Sequence, residues 1–140
     1  MKVLIDTNIY LELFLGREKK ELVKKLFYLA YINNNQTFVT TQTLRDIEYI
    51  LRHYVHDSKT SKMLQHKAYE ITSKVISVSN DAAIEALFSD IKDYEDALQS
   101  LASEEYLLDA IVTLNKKDYI NSKIPAFTPT EICNLWEKNK

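Results

Sequence analysis

Apolar residues recur along this chain in two alternating rhythms. Short runs rich in β-branched and aromatic side chains, at residues 2–5, 37–39, 75–78, 110–112 and 126–127, predict strands. Between them the apolar positions take helical spacing. Leu22, Val23, Leu26, Phe27, Leu29 and Ala30 fall at i, i+1, i+4, i+5, i+7 and i+8 and form one stripe. Leu44, Ile47, Leu51 and Tyr54 make a second stripe on a helix over 43–54, Ala82, Ile84, Ala86 and Leu87 a third, and Ala97, Leu98, Leu101 and Ala102 a fourth. A further helix is expected to begin near Ile9. The last one opens at Thr128-Pro129-Thr130-Glu131, with Thr as N-cap, Pro at N1 and Glu at N3, the pattern of a capping box. Short strands separated by helices read as βαβ units. The expected fold class is α/β: three αβα layers around a central, mostly parallel sheet of about five short strands. No repeat, low-complexity tract or linker divides the chain, so one domain over residues 1–140 is expected.

Composition narrows the function classes. Of 140 residues 46% are hydrophobic, enough for the core of a chain this size, which buries about 68% of its unfolded surface. An average composition would supply about ten glycines. This chain has one, Gly16, which excludes the G-x-G-x-x-G and G-x-x-x-x-G-K phosphate loops, since each needs at least two. The single cysteine, Cys133, excludes an intrachain disulfide and a cysteine-rich zinc site. The opening apolar stretch meets Asp6 at once and does not make a signal-peptide core. No run approaches the ~18 apolar residues of a membrane span. A soluble cytoplasmic protein without membrane contact is therefore expected. With 18 basic and 20 acidic side chains the net charge is −2, so any nucleic-acid contact has to come from a local patch.

In a parallel sheet, sites gather just beyond the carboxyl ends of the strands. Asp6 directly follows the apolar run Val3-Leu4-Ile5, where a carboxylate needs something to stabilise its charge. Either Asp6 or Asn8 also suits the N-cap of the next helix. On the helix over 43–54, Asp46 and Glu48 lie on opposite borders of the apolar stripe, and periodicity does not choose between them. Asp93-Tyr94-Glu95-Asp96 opens another helix, where acids also suit the positive end of the dipole. A fourth group, Asp109, Asn115 and Asp118, surrounds the strand at 110–112. Each acid alone has an ordinary structural role open to it. Crowded into one crevice they repel, and either take up protons or are neutralised by a cation. Oxygen ligands with water positions left open suit Mg²⁺ or Mn²⁺.

In their order and spacing these segments resemble the PIN domain, the fold of the VapC-type toxin ribonucleases, over essentially the whole chain. Residues 1–8 match the family's opening apolar strand and its D-T-N, here Asp6-Thr7-Asn8. Thr41-Gln42-Thr43-Leu44-Arg45-Asp46-Ile47 resembles the segment with the second acid and aligns Asp46 with it, where members usually carry Glu. Asp93-Tyr94-Glu95-Asp96-Ala97-Leu98-Gln99 resembles the block of the third acid, placed at Asp96. Residues 111–119 look like the family's T-R-N-x-x-D-F ending, with Leu114 for the usual Arg and Tyr119 for the usual Phe. Many members carry Asp where this chain has Asn115; Asp118, or Asp109, is then the source of the fourth charge.

The resemblance implies a metal-dependent endoribonuclease acting on RNA. By it, Asp6, Asp46, Asp96 and Asp118 are the catalytic acids, and Asp6, Asp96 and Asp46 hold Mg²⁺ or Mn²⁺. Thr7, Thr113 and Asn115 support them or the substrate. It also implies a homodimer, for which the abundant apolar residues of the early helices offer an interface, and a small antitoxin partner of the VapBC type. Cations for the substrate are sought among Arg17, Lys19, Lys20, Arg45, Arg52, Lys116 and Lys117, although each alone suits a solvated face. His53, His56 and His66 lack metal-ligand spacing, and Tyr28, Tyr31, Tyr49 and Tyr54 are expected to serve packing. Three other readings compete. A phosphatase with a nucleophilic Asp6 wants a second Asp where Asn8 stands. A receiver-type phosphoacceptor wants paired acids near the first strand. A degenerate PIN domain binds RNA or a partner without cleaving.

Overall fold

The computed structural model describes residues 1–139. Strands β1 (Lys2–Ile5), β2 (Gln36–Thr40), β3 (Lys74–Ile76), β4 (Ala110–Val112) and β5 (Ala126–Phe127) form one five-stranded sheet in the order β3-β2-β1-β4-β5. Every neighbouring pair is parallel. β1 is central, and its apolar run reflects burial on both faces, as a central parallel strand requires.

Alternation along the strands divides the core in two. Val3, Ile5, Val39, Ala110 and Val112 face one layer of helices. That layer comprises α1 (Thr7–Phe14), α2 (Lys20–Ile32), α3 (Thr41–Val55) and α7 (Pro129–Lys138); α4 (Ser58–Ile71) joins it through Ala68. Leu4, Phe38 and Ile111 face the opposite way, towards Ala102 of α6 (Tyr94–Glu105) and the buried ring of Tyr119. α5 (Asn80–Ala86) packs on α6, with Ala86 against Ala97 and Leu98. This is the three-layer α/β architecture expected from the sequence.

Four details differ from expectation. α1 starts at Thr7 with Asp6 as N-cap, so Asn8 lies inside the helix and caps nothing. β3 covers 74–76 rather than 75–78, because its only neighbour, β2, ends at Thr40 opposite Ile76. α4 had no strong apolar stripe to announce it: its buried positions are the small residues Ser61 and Ala68. Finally, Tyr28, Tyr31, Tyr49 and Tyr54 are exposed rather than packed. Tyr28 and Tyr49 each sit two residues past a buried position, Leu26 and Ile47, which turns them about 200° around the helix and away from the core. Among the described residues no helix is long and apolar enough to cross a membrane.

Candidate active site

The strand order reverses direction at β1, with β2 following on one side and β4 on the other. The crevice between β1 and β4 is therefore the topological switch point of the sheet. Asp6 stands there, one residue beyond β1, held by the neighbouring strand: its amide donates to the Val112 carbonyl at 3.0 Å. Its carboxylate is held by both oxygens. Oδ1 accepts from the Thr7 amide at 2.8 Å and Oδ2 from the Thr113 hydroxyl at 2.9 Å. Asp6 is only 7% exposed. Burial raises its pKa above the ordinary carboxylate value; the bonds from Thr113 and Thr7 pull it back.

α3 contributes from the adjacent strand end. The Thr40 hydroxyl caps the helix by accepting from the Thr43 amide at 3.0 Å, and donates to Gln99 Oε1 at 2.7 Å. Gln99 Nε2 donates to Thr43 Oγ1 at 3.0 Å, and that hydroxyl shares a 3.0 Å bond with Thr7. Thr40, Thr43 and Gln99 are all buried, so this relay fastens α3 and α6 to the start of α1. Fully satisfied, such a buried network rigidifies its surroundings.

Asp93 starts α6, its Oδ1 accepting from the amides of Glu95 and Asp96 at 2.9 and 3.1 Å. Asp96, in the first turn, accepts from the Tyr119 hydroxyl at 3.3 Å. The Asp96 carboxyl is pushed up to about 7, first by burial and then by the negative charges of Asp6, Asp93 and Asp118. The Tyr119 hydroxyl acts on both carboxylates, lowering the pKa of Asp6 as well as that of Asp96. The Glu95 carboxyl is raised too, by burial and then by Asp46.

Asp6, Asp46 and Asp96 line one cavity of about 610 Å³, together with Thr7, Glu48 and Gln99. Asp46 meets Arg45 at 3.0 Å and Glu48 meets Arg52 at 3.0 Å, so both borders of the α3 stripe reach the cavity and both acids carry a counter-charge. None of the ion pairs among the described residues involves Asp6 or Asp96. Asp118 is exposed and outside the cavity lining; it accepts from Asn115 Nδ2 at 3.1 Å, and its charge is felt by Asp96. Asp109 precedes β4 and so lies at the opposite, amino end of the sheet, where it accepts from the Lys2 amide at 2.7 Å; it plays no part in this crevice. Asn115 donates its amide to Thr113 Oγ1 at 3.2 Å. Lys116 is committed to Glu131 at 3.1 Å.

The donor set suits a small hard cation. One buried and one half-buried carboxylate, Asp6 and Asp96, neither in an ion pair and both lining a cavity roomy enough for water, match the way Mg²⁺ is held, by one or two carboxylates with several waters retained. Among the described residues no three His, Cys, Asp or Glu side chains form a ready-made cage. Gln99, Thr40 and Thr43 carry no signal in the sequence that marks them for the site, and Tyr119 only that it stands where the family ending carries Phe.

No curated protein sequence matches the chain. Several solved structures share its fold. A toxin–antitoxin complex from Klebsiella pneumoniae matches with a TM-score of 0.61 at 23% identity, over 91% of this chain and 97% of that one. VapBC2 from Rickettsia felis, bound to a DNA fragment from their promoter, matches with a TM-score of 0.67 at 17% identity, over 91% and 98%. FitAcB from Neisseria gonorrhoeae matches with a TM-score of 0.63 at 12% identity, over 91% and 98%. The family model described as the PIN domain matches residues 2–117, and the chain belongs to the PIN domain family, whose members are generally nucleases that use divalent metal ions.

Proposed function

We propose that this chain is a Mg²⁺- or Mn²⁺-dependent endoribonuclease that hydrolyses RNA phosphodiester bonds in the cytoplasm, as the toxin of a VapBC-type toxin–antitoxin pair. The observation that carries the reading is the pair Asp6 and Asp96: two carboxyls in one cavity, both resisting ionisation, neither with a cationic partner. They would hold the ion, with Asp46 a third acid lining the same cavity. A divalent cation there supplies charge neutralisation, orientation of the scissile phosphate and acidification of the attacking water. The chain's own residues set up that chemistry. Thr7 and Thr113 fix the two oxygens of Asp6, and Tyr119 restrains Asp96. Arg45 and Arg52 offset Asp46 and Glu48, so an approaching phosphate meets less net negative charge. Asp118, held by Asn115, adds charge beside Asp96 and strengthens its demand for a cation.

Two partner proposals accompany this one. The toxin–antitoxin complexes among the structural neighbours support a small antitoxin, which a second open reading frame beside the gene would corroborate. Tyr28, Tyr31 and Ile32, exposed on α2, and Ile84, Leu87 and Phe88, exposed around the end of α5, are the apolar surfaces that support a homodimer. Light scattering that finds only a monomer counts against it. One observation favours a second reading, a PIN domain that binds without cleaving: the third acid, Asp46, is paired with Arg45. Cleavage of a mixed tRNA and structured-RNA pool decides between the two. Metal-dependent, EDTA-sensitive cutting lost in both Asp6→Asn and Asp96→Asn is expected. Cutting that survives both substitutions overturns the assignment, and an intact fold that never cuts or binds metal favours the second reading.

A further inference from the structure

The outward edge of α3 carries exposed basic and aromatic side chains beside the acids of the cavity. Arg45, Tyr49, Arg52 and His53 fall at i, i+4, i+7 and i+8, one stripe on a helix, and all four are exposed. At 1.5 Å per residue the stripe runs roughly 12 Å. Arg45, Tyr49 and Arg52 line the same cavity as Asp6 and Asp96, so the stripe is continuous with the acids.

Tyr49 is 56% exposed, yet its ring is held in place by its neighbours. The Arg52 guanidinium lies 5.9 Å from the ring centroid, and the His53 ring 4.8 Å away at an interplanar angle of 60°. His53 is itself anchored, its Nδ1 lying 2.9 Å from the Tyr49 carbonyl. The two arginines turn their charge outward: the Arg45 and Arg52 side chains are 73% and 49% exposed, their carboxylate partners Asp46 and Glu48 only 16% and 17%. A guanidinium has five donors, so one carboxylate leaves hydrogens free for a second anion.

We propose that this stripe is a track for a single-stranded polynucleotide, on which Tyr49 stacks a base while Arg45 and Arg52 hold the adjoining phosphates and lead the strand to the acidic cavity. Aromatic rings interleaved with guanidiniums are the means by which single strands are held without sequence preference. A duplex offers no such fit, because its bases are stacked on one another and closed to a ring on a helix surface. That the strand is led towards the acids rests on the nuclease reading; the stacking contact does not.

Fluorescence anisotropy tests the track with a short fluorescein-labelled, mixed-sequence RNA in EDTA, so that binding is read without cleavage. Tyr49→Ala should weaken single-strand binding roughly tenfold, with Tyr49→Phe within about twofold of wild type. Tyr31→Ala, on α2 and outside the cavity, should change nothing. Arg52→Gln should reduce the slope of log K against log salt by about 0.7, the single-strand value per phosphate contact. Single-stranded DNA of the same sequence should show the same Tyr49 dependence, and the annealed RNA duplex none. Wild-type binding by Tyr49→Ala, no affinity of the wild type for the single strand, or equal Tyr49 dependence on the duplex would each overturn the proposal. Cleavage measured separately on the same variants keeps the two readings apart. Tyr49-dependent binding without cleavage leaves the track and removes the nuclease; cleavage with Tyr49-independent binding does the reverse.

Discussion

Asp96 ionises against both its surroundings and its neighbours. Its carboxyl titrates near 7 in the folded chain, against an ordinary value of 3.8, so between those values the folded protein keeps a proton that the unfolded chain releases. Stability from this group is therefore fully present below the ordinary value and is lost as pH rises through about 7. Asp6, raised by burial, acts with the same sign. Relative to Asp96→Asn, the metal-free wild type should lose melting temperature as the pH rises from about 4 to about 7. Thermal melts of the two proteins in EDTA across that range check this, and a difference between them that does not change with pH, or changes in the wild type's favour as pH rises, contradicts it. At this scale the sequence made part of the site legible. Asp6, Thr7 and Thr113 could be placed together because β1 and β4 are apolar runs ending in polar residues at the same edge. Gln99 and Thr43 could not, since polar residues in a helical pattern resemble solvent-facing positions until the neighbouring elements enclose them, and Thr40, the last residue of β2, reads as an ordinary strand end. Only the fold puts the Tyr119 hydroxyl beside both acids.

At the scale of elements, helix starts do most of the positioning. Asp6 caps α1, Thr40 caps α3 and Asp93 caps α6, so the same turns that begin these helices aim their first residues into the crevice. Asp93→Ala should cost about 1 kcal/mol, the usual value of a lost N-cap, whereas Asp93→Asn should keep nearly all of it because Asn caps as well. Urea unfolding of the two variants separates capping from charge; equal loss in both would contradict the assignment. Removing the Asp93 charge should also lower the Asp96 pKa, because that charge helps to hold it up. Capping was legible where a strong signal preceded the helix, as with Thr128, whose hydroxyl accepts from the Glu131 amide at 3.2 Å. α4 was not legible, because a helix that buries only Ser61 and Ala68 carries too little apolar periodicity to be seen.

The whole molecule explains why the acids meet. The parallel order β3-β2-β1-β4-β5 brings the carboxyl ends of β1 and β4 together at the switch point, and α3 and α6 supply Asp46 and Asp96 to the same cavity. Acids some ninety residues apart in sequence thus share one crevice, while Asp109, close to Asp96 in sequence, is carried to the far end of the sheet. Asp6 and Asp96 are the proposed divalent-cation site. Calorimetric titration of the purified metal-free protein with Mn²⁺, beside Asp6→Asn and Asp96→Asn, is the decisive measurement. Saturable binding by the wild type is expected, with a loss of affinity in each folded variant of at least the ~tenfold that removing a group which only orients a ligand costs. Absence of binding in the wild type, or undiminished binding in both variants, would contradict it.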